Sequence, residues 1–178
     1  MSSRTTRGTG RLRDVIAPGL RVLFCGINPG LYSAAVGYHF ARPGNRFWQA
    51  LFAGGFTDRV LAPSENRLLL DFGCGLTDIV LRASAGADEV TAAELVAGRR
   101  RLERKLRRYA PRVLAVLGLS AYRVAFGRPR AVPGIQPDAV GETRLWLLPN
   151  PSGLNAHYQP RDLARAFREL RTAISTAQ

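Results

Sequence analysis

The sequence predicts an α/β protein with a central, mainly parallel sheet, and three observations predict it. Short apolar runs recur at Val22-Leu23-Phe24-Cys25, Val113–Leu117 and Leu145–Leu148, each stopped abruptly by Gly or Pro. Such runs bounded by turn residues read as strands buried on both faces. Stretches of helical period lie between them, and strands alternating with helices argue a parallel sheet. Third, two of the runs end in the same dipeptide, Asn28-Pro29 and Asn150-Pro151. Ligands of open α/β sheets bind beyond the carboxyl ends of such strands.

Taken in order, residues 1–13 hold Ser, Thr, Gly and Arg without an acid, a composition that reads as a flexible basic arm. Residues 14–178 then form a single domain, as suits a chain of 178 residues. The first strand ends at Gly26-Ile27-Asn28-Pro29-Gly30 and leads into a loop from Leu31 to Arg42. Asn45 caps a helix through about Ala53, with Phe47, Trp48, Leu51 and Phe52 inward. Pro63-Ser64 opens another helix, in which Leu68, Leu69 and Leu70 pack. Gly75–Val80 is a short strand or extended segment. Thr91-Ala-Ala-Glu94 is a capping box, starting a helix to about Tyr109 with Leu95, Leu102, Leu106 and Tyr109 as its core stripe. After the Val113 strand, Ser120 to about Phe126 is helical. Gly127 to Gly141, rich in Pro and Gly, is a surface excursion. The Leu145 strand follows, and Pro160 opens a last amphipathic helix carrying Leu163, Ala166, Phe167 and Leu170.

Lys and Arg number 26 against 13 Asp and Glu, a net charge of +13. That imbalance favours a polyanionic partner through phosphate neutralisation and counterion release. Nearly all the cations are Arg, whose planar fork suits phosphate. The run Arg99 to Arg108 is either a solvated helix face or a DNA-contacting one. Two cysteines, Cys25 and Cys74, make neither a disulfide framework nor a four-ligand metal or cluster site. No apolar stretch is long enough to cross a bilayer and no signal peptide is visible, so no membrane association is expected and the protein is placed in the cytoplasm, with the nucleoid. No Gly-x-Gly-x-x-Gly follows the first strand, which removes the dinucleotide-binding reading.

Each Asn-Pro motif alone is also an ordinary turn. Together they carry a resemblance. Gly26-Ile-Asn-Pro-Gly30 and Asn150-Pro-Ser-Gly-Leu154, in that order and spacing, resemble the mismatch-specific uracil DNA glycosylases of the uracil glycosylase superfamily. Arg42-Pro-Gly-Asn-Arg-Phe-Trp48 and Ala53-Gly-Gly-Phe-Thr-Asp58 resemble the same family, and the likeness spans roughly residues 20 to 172.

The resemblance implies a three-layer α/β/α fold and a monofunctional glycosylase that flips uracil out of a G:U mismatch in double-stranded DNA. The product is an abasic site, left for a downstream abasic-site endonuclease. No metal or cofactor is implied, and a monomer is expected. Phe40 is then the stacking platform, with backbone groups near Ile27 and Ser33, and Asn150, addressing the base. Leu154, between Gly153 and Asn155, is the wedge, a known device for unstacking DNA, and its loop reads the opposite guanine. Asn28 positions the attacking water through its side-chain carbonyl. Being neutral, it is a weaker base than the Asp of the fastest uracil glycosylases, so slow turnover is expected. Asn150 stands where faster relatives have His. His39 and His157 fall near the motifs but off the family's positions and read as phosphate contacts or surface residues. Asp88, before the capping box, either supplies the missing carboxylate or simply favours the positive helix N-terminus. Lys105, the only lysine, lies on the Arg-rich helix, which argues against Schiff-base chemistry. The alternative is a catalytically weak mismatch-binding protein using the same pocket.

Overall fold

The computed structural model describes residues 11–177. Its five strands are β1 (Val22–Gly26), β2 (Cys74–Asp78), β3 (Val113–Leu117), β4 (Gly134–Val140) and β5 (Thr143–Leu148). They lie in the order β2-β1-β3-β5-β4. β1 pairs in parallel with β2 and β3, and β3 in parallel with β5; only β4 runs antiparallel, on β5. The sheet is three-layered because alternate residues of each buried strand serve opposite faces. Val22, Phe24, Ala115, Trp146 and Leu148 face α2 (Phe47–Ala53) and α5 (Pro160–Thr176). Leu23, Cys25, Leu114, Val116, Leu145 and Leu147 face α3 (Ala92–Tyr109) and α4 (Leu119–Ala125). On the first face Phe24 stacks on Phe167 at 5.8 Å and meets Phe47 edge-on at 5.6 Å, a geometry that adds to area burial.

The expected elements form with adjusted bounds. The capping box is present, Thr91 Oγ1 accepting from Glu94 N while Glu94 accepts from Thr91 N. Asn45 Oδ1 accepts from Phe47 N at 2.9 Å. Leu95, Leu102 and Leu106 are buried, as is Trp48. Phe52 of α2, expected inward, is exposed. Leu68 is exposed too, because the Pro63–Phe72 segment is a 3-10 helix whose threefold repeat changes which side chains face in.

Two segments differ in kind. Leu31–Val36, expected as loop, is a short helix, α1. Gly127–Gly141, expected as a surface excursion, contains β4. Its ladder is irregular between Ile135 and Ala139, around Pro137; proline is tolerated there because β4 is an edge. Of the basic arm, residues 1–10 lie outside the described residues, whereas Leu12 and Arg13 belong to the fold near the carboxyl ends of β1 and β2. Among the described residues no helix is long and apolar enough to cross a membrane.

The chain leaves β1 for β2 on one side and later places β3 on the other. The direction of winding therefore reverses between β1 and β3, and the crevice beyond that point is where such sheets bind ligands.

Candidate active site

A cavity of about 150 Å³ occupies that crevice, floored by Gly26 at the end of β1 and Leu117 at the end of β3. Both Asn28 and Asn150 line it. A cavity of roughly this volume holds one benzene ring, so the space suits a single six-membered ring. Ile27, Ser33 and Phe40 line it too, and Leu154 stands at its rim with 73 % of its surface exposed.

Asn28 is fixed from the β2–α3 loop. Its Nδ2 donates to the Arg82 carbonyl and to Ser84 Oγ, both at 2.8 Å. A backbone carbonyl only accepts, so the amide's orientation is determined and Oδ1 remains as the acceptor. Ser84 Oγ passes its own hydrogen to the Gly86 carbonyl, and Ser84 pairs with Gly30 in a parallel bridge. Arg82 is held in turn by a bidentate ion pair with Glu94, at 2.7 and 3.1 Å. Arg82 and the Thr91 backbone N–H draw the Glu94 carboxyl down to about 2. The capping box that starts α3 thus also anchors the strap behind Asn28.

Phe40 is half-buried at φ 52°, a backbone conformation rare for a bulky residue. Its ring packs 4.2 Å from that of Phe47. The turn is tied down by Ser33, whose Oγ accepts from Ala41 N at 3.0 Å. α1 therefore serves to carry Ser33 under the Phe40 loop.

Asn150 closes an Asx turn, Oδ1 accepting from Ser152 N at 2.9 Å, and its carbonyl accepts from Asn155 Nδ2 at 3.0 Å. His157 is exposed, with its N–H on Asn155 Oδ1. The whole loop hangs on Arg46, whose guanidinium donates to the carbonyls of Ser152 (2.7 Å), Asn155 (3.2 Å), Pro151 (3.4 Å) and Tyr158. Gly153 lies against Gly44, and a Cβ there would come 2.6 Å from the Gly44 carbonyl oxygen. Gly153→Ala is therefore expected to push Leu154 off its position.

Asp88 is exposed and lines the neighbouring groove that His157 also borders; the cavity is faced instead by Ala85, Gly86 and Ala87 of that loop. The carboxylate that does line the cavity is Asp78, at the end of β2 and opposite Gly26. Burial pushes its carboxyl from the ordinary 3.8 up to about 6; His39 and Lys105 pull it down and Asp14 pushes it up. His39 is neither a surface residue nor free for phosphate: it is 2 % exposed, with Nδ1 3.5 Å from Asp78 Oδ2. Reading by motif missed Asp78 and Ser84, placed His39 at the surface or on phosphate, and gave Arg46 no role of its own. The usable signal was an Asp closing an apolar strand, at the end where such sheets carry ligands.

Lys105 is engaged away from the cavity, paired with Asp14 and donating to Thr77 Oγ1 at 2.9 Å. Arg99 pairs with Glu103 and Arg101 donates to the Ile79 carbonyl, so part of the Arg run holds α3 in place.

Fold and site together define a protein with a ring-sized, partly polar cavity at the switch point of a mainly parallel sheet. The Uracil DNA glycosylase superfamily model matches residues 13–171. The chain belongs to that superfamily, hydrolases that cut the N-glycosidic bond of a base in DNA. Among solved structures, it is similar to the NMR structure of a Methanosarcina acetivorans protein provisionally assigned as a uracil DNA glycosylase. Identity is 19 %, the match covers 90 % of this chain and 97 % of the other, and the TM-score is 0.58. At that identity the likeness speaks for the fold.

Proposed function

We propose that the protein is a monofunctional, mismatch-directed uracil DNA glycosylase. It removes uracil, and related damaged pyrimidines that fit, from G:U mismatches in double-stranded DNA. The observation that carries this reading is the ring-sized cavity lined by Asn28 and Asn150, with an exposed leucine at its rim.

Flipping a nucleotide out of the stack costs a few kcal/mol. Leu154 offsets part of that by filling the gap, while Gly153 and Asn155 bring backbone groups to the guanine left behind. Phe40 takes the face of the base, Ile27 and Ser33 offer backbone groups to its edge, and Asn150 shapes the opposite wall. Asn28, its amide nitrogen committed, presents Oδ1 to a water at the anomeric carbon. The transition state resembles an oxocarbenium ion, so a neutral acceptor suffices where the leaving base is stabilised. The engagement of Lys105 with Asp14 and Thr77 supports hydrolysis over lyase chemistry. Net charge of +13 draws the protein to DNA, and His157, exposed beside the wedge loop, is a phosphate contact. The protein acts as a monomer in the cytoplasm, on nucleoid DNA, and hands its product to an abasic-site endonuclease.

Incubation with a labelled uracil–guanine duplex, followed by alkali, tests the reading. Strand cleavage only after alkali is expected. Cleavage without alkali would contradict the monofunctional assignment, and binding without cleavage would favour a mismatch-binding protein using the same cavity.

A further inference from the structure

One wall of the cavity comes from outside the strand ends and the motif loops. Leu12 lines it, whereas every other lining residue among the described residues falls between Gly26 and Leu154. Leu12 also stands just ahead of the stretch that the superfamily model matches, residues 13–171. The composition of its neighbours gives it no fixed place, yet the three residues after it are each tied down. The Arg13 carbonyl accepts from His39 Nε2 at 2.9 Å, since a carbonyl only accepts. Asp14 Oδ1 accepts from Thr77 Oγ1 at 2.8 Å, and Asp14 Oδ2 pairs with Lys105 of α3, whose Nζ also donates to Thr77 Oγ1 at 2.9 Å. Val15 bridges Leu76 in antiparallel fashion, exchanging backbone hydrogen bonds of 2.9 and 2.8 Å along the outer edge of β2. Gly75 admits the segment there: a Cβ on it would stand 2.4 Å from the Val15 carbonyl oxygen. Loop, helix and strand thus grip residues 13–15 in succession, and Leu12 is held half-buried against the cavity.

We propose that Leu12 is a specificity-determining residue that excludes pyrimidines enlarged at C5, and that Lys105, through Asp14, is the positioning residue that holds it in place. The inference rests on the reading of the cavity as a base pocket. A space of about 150 Å³ suits one six-membered ring, so a wall that moves by one methyl group decides what enters. The rest of a uracil's rim is carbonyl and N–H, which call for polar partners. Its C5–C6 edge is carbon and hydrogen alone, and a leucine side chain, with no polar atom, matches that edge. A substituent on C5 would then meet Leu12, and the ties on residues 13–15 leave the segment little room to retreat. Lys105 does not line the cavity, so any influence it has on the choice of base passes through this segment.

Single-turnover cleavage of uracil, thymine and 5-ethyluracil, each opposite guanine in the same duplex, provides the test. Wild type is expected to prefer uracil. Leu12→Ala should raise the thymine-to-uracil rate ratio by about 10-fold or more, the range that a methyl group commands in an apolar pocket, and should raise the 5-ethyluracil ratio as well. Leu12→Met, of similar volume, should keep the wild-type ratio, and Leu12→Phe should lower it. Lys105→Met should raise the ratio too, but add nothing to Leu12→Ala, because the placement of a side chain no longer matters once it is gone. A merely structural role would slow all three substrates together and leave the ratios unmoved. Unchanged ratios in Leu12→Ala, or a wild type that cleaves all three bases equally fast, would overturn the inference alone. Additive effects in the double variant would overturn the positioning role of Lys105. A wild-type protein that cleaves none of the three would overturn the base-pocket reading, and this inference with it.

Discussion

Replacing Asn28 with alanine is expected to lower the single-turnover rate on a uracil–guanine duplex by about 10²–10³-fold, with little change in affinity for abasic DNA. The reason is the commitment of its two ends. Nδ2 spends its hydrogens on Arg82 and Ser84, so Oδ1 is left as the amide's acceptor for the water of the proposed reaction. Loss of the two bonds should cost the fold only about 1–3 kcal/mol, and a melting curve would register that separately. Asn28→Asp gives a sharper contrast. It installs the base of faster glycosylases but sets a carboxylate oxygen against the Arg82 carbonyl, acceptor against acceptor. The variant should therefore remain slower than wild type at pH 8. A faster Asn28→Asp enzyme would show that the Arg82–Ser84 strap does not control the orientation of this side chain.

Asp78→Asn is expected to stabilise the protein at alkaline pH. In the fold the Asp78 carboxyl sits near 6 rather than 3.8, because burial disfavours its charge. The folded state thus binds that proton more tightly than the unfolded chain. The associated stability is complete below about pH 4 and is lost as pH rises through 6. A shift of about two pH units corresponds to about 3 kcal/mol. Asparagine cannot ionise and keeps what the carboxylate loses. The variant's melting temperature relative to wild type should therefore climb between pH 4 and pH 8 by roughly 6–12 °C. A difference that stays constant with pH would mean that Asp78 is not desolvated as its burial indicates. A buried carboxylate that weakens the fold, in a cavity, is the pattern expected of a working group rather than of a structural one.

Much of the architecture was legible because its strands are buried on both faces: Val22–Gly26 and Val113–Leu117 are unbroken apolar runs with sharp stops. The gathering of Asn28 and Asn150 was legible for the same reason, each ending such a run in a parallel sheet. β4 was not, because Gly134 and Pro137 interrupt the alternation that marks an edge strand. α1 was hidden by its length and by Gly30, which supplies no side-chain cap. Local logic also misplaced the carboxylate. Asp88 sits at the N-terminal side of a helix, as capping chemistry favours, yet only the backbone beside it reaches the cavity. Asp78 and His39 lie on different elements, and their meeting depends on the register of β2 against β1, which no local pattern displays. Arg46 was in plain view within Arg42–Trp48, but four carbonyls from a loop a hundred residues away give it its role.

A crystal structure with a duplex carrying a cleavage-resistant deoxyuridine analogue opposite guanine would bear most directly on the account. The expected result is a uracil ring in the cavity against Phe40, a water on Asn28 Oδ1 facing C1′, and Leu154 in the vacated stack. A duplex bound with its uracil still stacked, or a flipped base lodged outside the space between Asn28 and Asn150, would contradict it.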